Sequence, residues 1–442
     1  MLKRSALMCG MLVSLVSQPA PSADLVSIYR EAQKADAVYA GARASYLAGQ
    51  ERLPQGLAGI LPAVTLSANT QYNDRDLQFR GAAPASSARF NSSGLNINAT
   101  QPLFRLQNWI TYEQAKNQVS QAEAIFLQTA QELIVRVAQA YFDVLLAQDN
   151  IALAAAQKAA FSEQLAQAKR NFEVGTATIT DAHDAQARHD LAVSLEIAAQ
   201  NDLEIRKQAL RQITGRLPPE LAKLSGRFTP VLPNPNSMDN WVEQAMASSL
   251  QVKAAQAALD IAAQDVSKSR SGHLPTLDAV ASYADASSGS GIQGGAGFDS
   301  TTKYIGLQLA LPLYLGGLTT SQIREALARQ DKAAQDLENT KRTVALSTRS
   351  AFLGVTNGVA QIKALEAALI SSRSSLDSTK LGQEVGVRTQ VDVLNATQQL
   401  ISTRRDHAQA IYAYAVNVLK LKAAAGTITE DDLGYVNAWL EK

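Results

Sequence analysis

Hydrophobic and polar positions in this 442-residue chain follow two periods, and the period switches at defined places. From Asp24 to about Leu57 apolar residues recur at helical spacing, which predicts a helix that Gly59 and Pro62 stop. In Pro62 to Phe79 the period drops to two. Val64, Leu66, Ala68, Thr70 and Tyr72 alternate with Thr65, Ser67, Asn69 and Gln71. After a polar stretch, Arg80 to Ser87, the residues Leu95, Ile97, Ala99 and Leu103 alternate with Asn96, Asn98 and Thr100. The two runs predict a β-hairpin over 62–103 with one apolar and one hydrophilic face. A second hairpin is predicted over 275–314. There Leu277, Ala279, Ala281 and Tyr283 precede a Gly/Ser-rich loop, and Ile305, Leu307, Leu309, Leu311 and Leu313 follow it.

Between the hairpins the period returns to that of a helix and stays there. Phe126, Ala130, Leu133, Val137, Ala140, Val144, Ala147, Ile151, Ala154, Lys158, Phe161, Leu165, Ala168 and Phe172 keep strict four-three spacing, a coiled-coil seam with one polar interruption. The predicted helix, Arg105 to Phe172, is roughly 100 Å long at 1.5 Å per residue. Val344, Thr348, Ala351, Val355, Gly358, Ile362, Leu365, Leu369, Ser372 and Leu376 form a second seam. A shorter return helix follows, Thr178 to Thr214. With the N-terminal helix stacked on its end, it would match the long one, giving a rod of antiparallel helices.

The chain is built twice over. Glu173-Val174-Gly175-Thr176-Ala177-Thr178-Ile179-Thr180-Asp181 is echoed by Glu384-Val385-Gly386-Val387-Arg388-Thr389-Gln390-Val391-Asp392. Gly272 to Pro275 echoes Gly59 to Pro62, Leu311 to Tyr314 echoes Gln101 to Phe104, and Leu421 to Gly426 echoes Leu210 to Gly215. One offset of about 211 residues runs through all four pairs, so two tandem copies are expected. They cover 24–215 and 238–426, with a Pro-rich link over 216–237 and a polar tail over 427–442. In each echoed turn a glycine suits the left-handed end of a helix. Thr178 and Thr389 suit the next N-cap, and Asp181 and Asp392 stand at the acid position of a capping box.

Residues 1–23 read as a secretory signal. Lys3 and Arg4 precede an apolar run, Ser5 to Val16, and cleavage is expected near Ala20 to Ala23. The only cysteine, Cys9, lies in that segment, so the remainder can form no disulfide. Losing two basic residues turns the formal net charge of +1 into about −1, which argues against nucleic acid. No stretch of 18 or more apolar residues follows, so no transmembrane helix is expected. The four histidines have no metal-ligand spacing. No phosphate loop or nucleophile motif stands out, so neither an enzyme nor a cofactor is expected.

The alternating runs are long enough for tilted strands to cross a bilayer. They also fit a hairpin half-buried against the helices. Four strands cannot close a barrel, and open edges are not tolerated in lipid. If these hairpins span, several chains must pool them, and three chains would supply twelve strands.

The combination of Leu61-Pro62, Gln101-Pro102-Leu103-Phe104, Val174-Gly175-Thr176, Ile213-Thr214-Gly215, Leu311 to Gly317 and Val385-Gly386 through Asp392 resembles the TolC family of outer-membrane exit ducts. The resemblance covers the whole chain after the leader. It implies an α+β membrane protein whose tandem-repeat protomer of long antiparallel helices and two β-hairpins forms a homotrimer. Twelve strands would make a β-barrel in the outer membrane of a Gram-negative bacterium, and the helices an α-helical barrel in the periplasm. The family works as a passive duct for type I protein secretion or efflux of small toxic compounds. Its partners are a periplasmic adaptor and an inner-membrane ABC or proton-driven pump. The turns Val174-Gly175-Thr176 and Val385-Gly386-Val387 are then the adaptor-docking tip. The family's closed tip pairs an Arg of the second turn with a Thr-Asp pair after the first, here Arg388 with Thr180 and Asp181. A ring of acids narrows the pore, here Asp392, with Asp184 placed to add charge one turn beyond Asp181. Two positions depart from the pattern. Asn395 stands where some members have Asp, and Gln383 where a Tyr is frequent. The competing reading is a structural periplasmic spacer or adaptor, which has no need of membrane-length amphipathic strands.

Overall fold

The structure, a computed structural model, describes residues 23–78, 80–81, 85–225, 228–291 and 295–441. All of the expected leader except Ala23 lies outside the described residues. Four strands, β1 (Ala63–Leu77), β2 (Ser86–Phe104), β3 (Thr276–Ser288) and β4 (Phe298–Ala310), form one antiparallel sheet in chain order. Directly paired residues of neighbouring strands share a face. The register pairs Leu66 with Ile97, Ile97 with Tyr283, Ala281 with Ile305, Ala279 with Leu307 and Leu277 with Leu309. One face is therefore apolar across all four strands. The opposite face carries Ser67 paired with Asn96, Asn96 with Ala284, and Asp278 with Gln308.

Among the described residues, nothing covers the apolar face. Ile305 is 86% exposed, Leu309 68% and Leu66 67%. Among those residues, the outer edges of β1 and β4 have no strand partner either. The second hairpin stops at Ala310, short of the 314 expected from alternation. Pro312 has no N–H to donate to a ladder, and Gly316 and Gly317 turn the chain in the left-handed region. Leu313 and Tyr314 are left exposed on that turn.

Below the sheet runs α4 (Leu106–Glu173), 68 residues and roughly 100 Å long. Leu133, Val137, Val144, Ala147, Ala154, Phe161, Leu165 and Ala168 of the expected seam are buried. The N-terminal segment differs from its expectation of one helix. It forms α1 (Leu25–Ala35), α2 (Ala37–Gln50) and α3 (Arg52–Ala58). Asp36 takes an extended backbone and its carboxylate caps α2 by accepting from the Tyr39 N–H at 2.7 Å. Pro54, lacking an N–H, is accommodated in the first turn of a restarted α3. Lower on α4, α5 (Ile179–Thr214) packs antiparallel, with Ala185 against Leu165 and Ala168.

The second half follows the same plan. α6 (Met238–Ser248) and α7 (Leu250–Arg270) precede β3, and α8 (Leu318–Glu384) pairs with α9 (Gln390–Ala424). The short α10 (Glu430–Asn437) closes the chain. Small residues let these helices approach. The faces of Gly354 and Gly358 meet Asn417 and Tyr414 so closely that an added Cβ would stand 3.2–3.3 Å from them.

The largest core lies at mid-rod, where short helices meet end to end. Leu25, Ile28, Leu133, Val137, Tyr141, Phe142, Leu210, Leu221, Leu419, Leu433 and Val436 bring six separate segments together. The Tyr141 hydroxyl donates to the Ala222 carbonyl at 2.8 Å, and burial pushes its pKa well up. The tail is tied in by the Leu25 N–H, which donates to Asn437 Oδ1 at 2.9 Å.

Asp36 turns the break between α1 and α2 into a buried joint. It is 3% exposed and accepts two bonds from the Arg136 guanidinium, at 3.0 and 3.1 Å. Burial alone would raise its pKa, but the Arg136 bonds and the Tyr39 N–H outweigh that and hold it below 3.8. A depressed folded pKa stabilises above the unfolded pKa and is lost as pH falls through the folded one. Asp36→Ala should cost about 2–4 kcal/mol, a lost cap plus a stranded guanidinium. The check is thermal unfolding in detergent followed by circular dichroism. The variant's midpoint should drop at neutral pH, and the gap to the parent chain should narrow below about pH 4.

Candidate functional site: the helical tip

The end of the rod opposite the sheet is made by the two turns that join α4 to α5 and α8 to α9. They are built alike. Gly175 and Gly386 both sit at φ 79°, in the left-handed region. The Gly175 N–H donates to the Phe172 carbonyl at 3.0 Å and the Thr176 N–H to Asn171 at 2.8 Å. The Gly386 N–H donates to Gln383 at 3.1 Å and the Val387 N–H to Gly382 at 2.8 Å. These crossed bonds are a Schellman motif, which satisfies the last carbonyls of α4 and α8. A side chain at either glycine would meet nothing within 4 Å, so conformation alone selects glycine there. Val174, Val385 and Val387 project from the turns, between 68% and 76% exposed.

The helices that leave the turns begin with complete capping boxes. The Asp181 N–H donates to Thr178 Oγ1 at 3.3 Å while the Thr178 N–H donates to Asp181 Oδ2 at 3.0 Å. In the second turn the matching distances for Thr389 and Asp392 are 3.2 and 2.9 Å. The Thr389 N–H, then its hydroxyl, then the nearby Arg388 charge hold the Asp392 carboxyl below its usual range. An acid at this position also meets the positive end of the helix dipole.

The structure brings some of the expected tip residues together and leaves others apart. Asp181 and Asp392 are each occupied by their own N-cap threonine. The stem of Arg388 lies along α8 at Gly382, where an added Cβ would stand 2.8 Å from Arg388 Cγ. Among the described residues, no hydrogen bond or ion pair joins Arg388 to Thr180 or Asp181 within the chain, and Asp184 has no such partner. Gln383 donates to Gln390 across the second turn.

Residues that, Asn395 apart, the sequence reading did not single out join the two helical hairpins just above the turns. Arg188 of α5 donates to Asn395 Oδ1 of α9 at 2.7 Å. Gln164 donates to Thr397 at 3.3 Å and Gln157 to Gln398 at 2.6 Å. Phe161, Ala192 and Leu394 form a small apolar cluster among them. Partners this distant along the chain leave no local pattern, so the only sequence signal was the departure at Asn395.

The described residues contain no group of three or more His, Cys, Asp or Glu disposed to hold a metal ion. No described helix is long and apolar enough to cross a membrane. The chemistry on offer is a set of narrow helix ends carrying acids, two arginines and exposed valines, at the far end of a rod from an apolar sheet.

Comparison with known proteins agrees with that arrangement. The family model described as outer membrane efflux protein matches residues 28–216 and 241–427. Outer membrane protein TolC of Vibrio cholerae is 36% identical over 420 residues, covering 95% of this chain and 94% of its own. Alkaline protease secretion protein AprF of Pseudomonas aeruginosa is 31% identical, over 97% of this chain and 90% of its own. Among solved structures, the CmeC outer membrane channel of Campylobacter jejuni superposes with a TM-score of 0.79. That match covers 99% of this chain and 98% of CmeC at 16% identity.

Proposed function

The chain belongs to the outer membrane efflux protein family and is an outer-membrane exit duct for type I secretion and efflux, and on that footing we propose that it works as a homotrimer gated at its helical tip. It resides in the outer membrane of a Gram-negative bacterium. The observation that carries the proposal is the sheet. Its apolar face is continuous from β1 to β4, and both its edges are unpaired. A backbone edge left open in hydrocarbon costs several kcal/mol per unsatisfied group, so copies of the chain must pair β4 with β1. A periplasmic spacer or adaptor has no use for such a face. The two copies, 24–215 and 238–426, each contribute one hairpin to the barrel and one helical hairpin to the duct below it.

At the other end, the exposed Val174, Val385 and Val387 and their fixed glycine turns are the surface for a periplasmic adaptor. An inner-membrane ABC or proton-driven pump then supplies the energy that a passive duct lacks. Arg388, Thr180, Asp181, Asp392 and Asp184 form the gate. Since Arg388 has no bond to Thr180 or Asp181 inside one chain, the pairing is between neighbouring subunits. The guanidinium fork suits a carboxylate and a hydroxyl together. Exposed pairs of this kind are weak and screened by salt, so an adaptor can open the tip with modest binding energy.

Two tests follow from the sheet and the gate. Leu309→Asp puts a charge on the apolar face and should cost about 2 kcal/mol, with a clear fall in heat-labile trimer recovered from outer membranes. Gln308→Lys, which puts a charge on the polar face opposite Asp278, should leave trimer unchanged, and equal tolerance at the two positions would sink the membrane assignment. In planar bilayers Arg388→Ser should raise single-channel conductance. Block by multivalent cations from the periplasmic side should need the ionised Asp392 and vanish in Asp392→Ala. Because that carboxyl is held below 3.8, block should survive to lower pH than an ordinary carboxylate allows. Thr389→Ala removes the hydroxyl bond, so its block should fade at a higher pH than in the parent chain. Block that persists in Asp392→Ala and disappears only in Asp184→Ala would move the acidic ring to α5.

A further inference from the structure

The geometry points to Arg188 as a positioning residue of the gate, a latch that ties the first helical hairpin of each subunit to the second. This inference rests on the reading of the tip as the gate. Of the hydrogen bonds between the two hairpins near the tip, Arg188 to Asn395 is the one nearest the second turn. It also joins the two return helices, α5 and α9. The other two, from Gln157 and Gln164, start from α4. An opening that swings one return helix away from the other must break the Arg188 bond.

The chemistry around Arg188 suits a reversible latch. Its acceptor is a neutral amide oxygen, so the bond is charge-assisted on one side only and weaker than a carboxylate pair. Asn395 holds the guanidinium without drawing it into a full ion pair. Asp184 lies one turn back on the same face of α5, at the i, i+4 spacing from which a carboxylate can take an arginine. In the described conformation Arg188 reaches Asn395, and no ion pair joins it to Asp184. Its other charged neighbourhood on α9 is Asp392, one turn before Asn395, already engaged with Thr389. On α5 itself His189 is paired with Asp190 at 3.2 Å. When the hairpins part, Arg188 loses an amide and gains a carboxylate on its own helix. The exchange lowers the free-energy difference between the two states, which is what a switch with two discrete arrangements requires.

The apolar cluster of Phe161, Ala192 and Leu394 flanks the latch, one helical turn above Arg188 along α5 and one residue nearer the turn than Asn395 along α9. It gives the moving parts a pivot. Between Asn395 and the second turn, the described residues supply no hydrogen bond from α9 to the first hairpin. Once Arg188 lets go, the ends of the two return helices are free to part about that cluster.

The test is single-channel conductance in planar bilayers for Arg188→Ala, Arg188→Lys and Arg388→Ser, measured side by side on purified full-length trimers. Arg188→Ala should raise conductance at least twofold with trimer yield unchanged. Arg188→Lys keeps a donor and a charge at that place and should stay closer to the parent chain. A second measurement separates latching from charge. In R188C/N395C a short, reducible bifunctional thiol reagent should lower conductance, and reductant should restore it. If Arg388→Ser opens the duct and Arg188→Ala does not, the latch is wrong and the gate stands. If Arg188→Ala opens it and Arg388→Ser does not, the latch stands and the Arg388 pairing falls. If neither opens it, the tip is not the gate and both fall. Crosslinking that leaves conductance unchanged also overturns the latch.

Discussion

An unpaired backbone edge is affordable in water and ruinous in hydrocarbon, and the architecture of this chain depends on that difference. Four strands make a sheet with two open edges and one apolar face. No rearrangement within one chain removes the edges, since closing a barrel takes about eight strands or more. Duplication helps only partly. Two hairpins give four strands, and the remaining closure has to come from other copies. The helices inherit this geometry. Each strand of the sheet meets a helix below it, so a closed ring of strands requires a closed ring of helices.

The helical part solves a different problem, how to build a long rod with few large apolar side chains. Only 6% of the residues are aromatic. Most of the seam along α4 and α8 is Ala, Val, Leu, Ser, Thr or Gly. Small side chains bring helix axes together and bury little area per contact, about 25 cal/mol for each Å² of apolar surface. Large side chains are concentrated at mid-rod instead. Tyr141, Phe142, Trp241, Phe352, Tyr412 and Tyr414 all lie in the two cores there. The joints between stacked short helices lie at that level as well, at Asp36 and Ser249, each capping the helix that follows. Helix ends carry unsatisfied N–H groups, so the rod places its breaks where tertiary packing is densest.

The parts of this design that are local in the chain were legible in the sequence. Period-two alternation identified the faces of β1 and β4 because side chains on a strand must alternate, and the register bears it out from Leu66 to Leu309. The echoed Gly-Thr-Asp turns announced their own capping boxes. The parts that depend on distant residues were hidden. Nothing near Asp36 marks a helix break, since Asp is common on exposed helices, and its partner Arg136 is a hundred residues away. The mid-rod core joins Asp24 and Leu25 to Asn437, near opposite ends of the chain. Arg188 carries no local mark of its bond to Asn395, which lies in the other half of the chain. Alternation also overran the end of the second hairpin, because Leu311 and Leu313 keep the period while Pro312 removes the ladder bond.

The distribution of strong and weak interactions along the rod follows function rather than economy of folding. The sheet is held by long antiparallel ladders, and mid-rod by a dense core with the bidentate Arg136–Asp36 pair. Toward the tip the apolar clusters shrink to a few residues each, and the bonds between hairpins are single and polar. Regions with few buried contacts open at low free energy, and moving parts are drawn from them. A duct must keep its barrel shut against leakage between subunits at all times, while its tip must yield to a partner and then close again. Strong ladders would make a tip that no adaptor could open, and an apolar tip core would be exposed to water at every opening. Capped helix ends and single exposed polar contacts avoid both, because water replaces each broken bond as the hairpins separate.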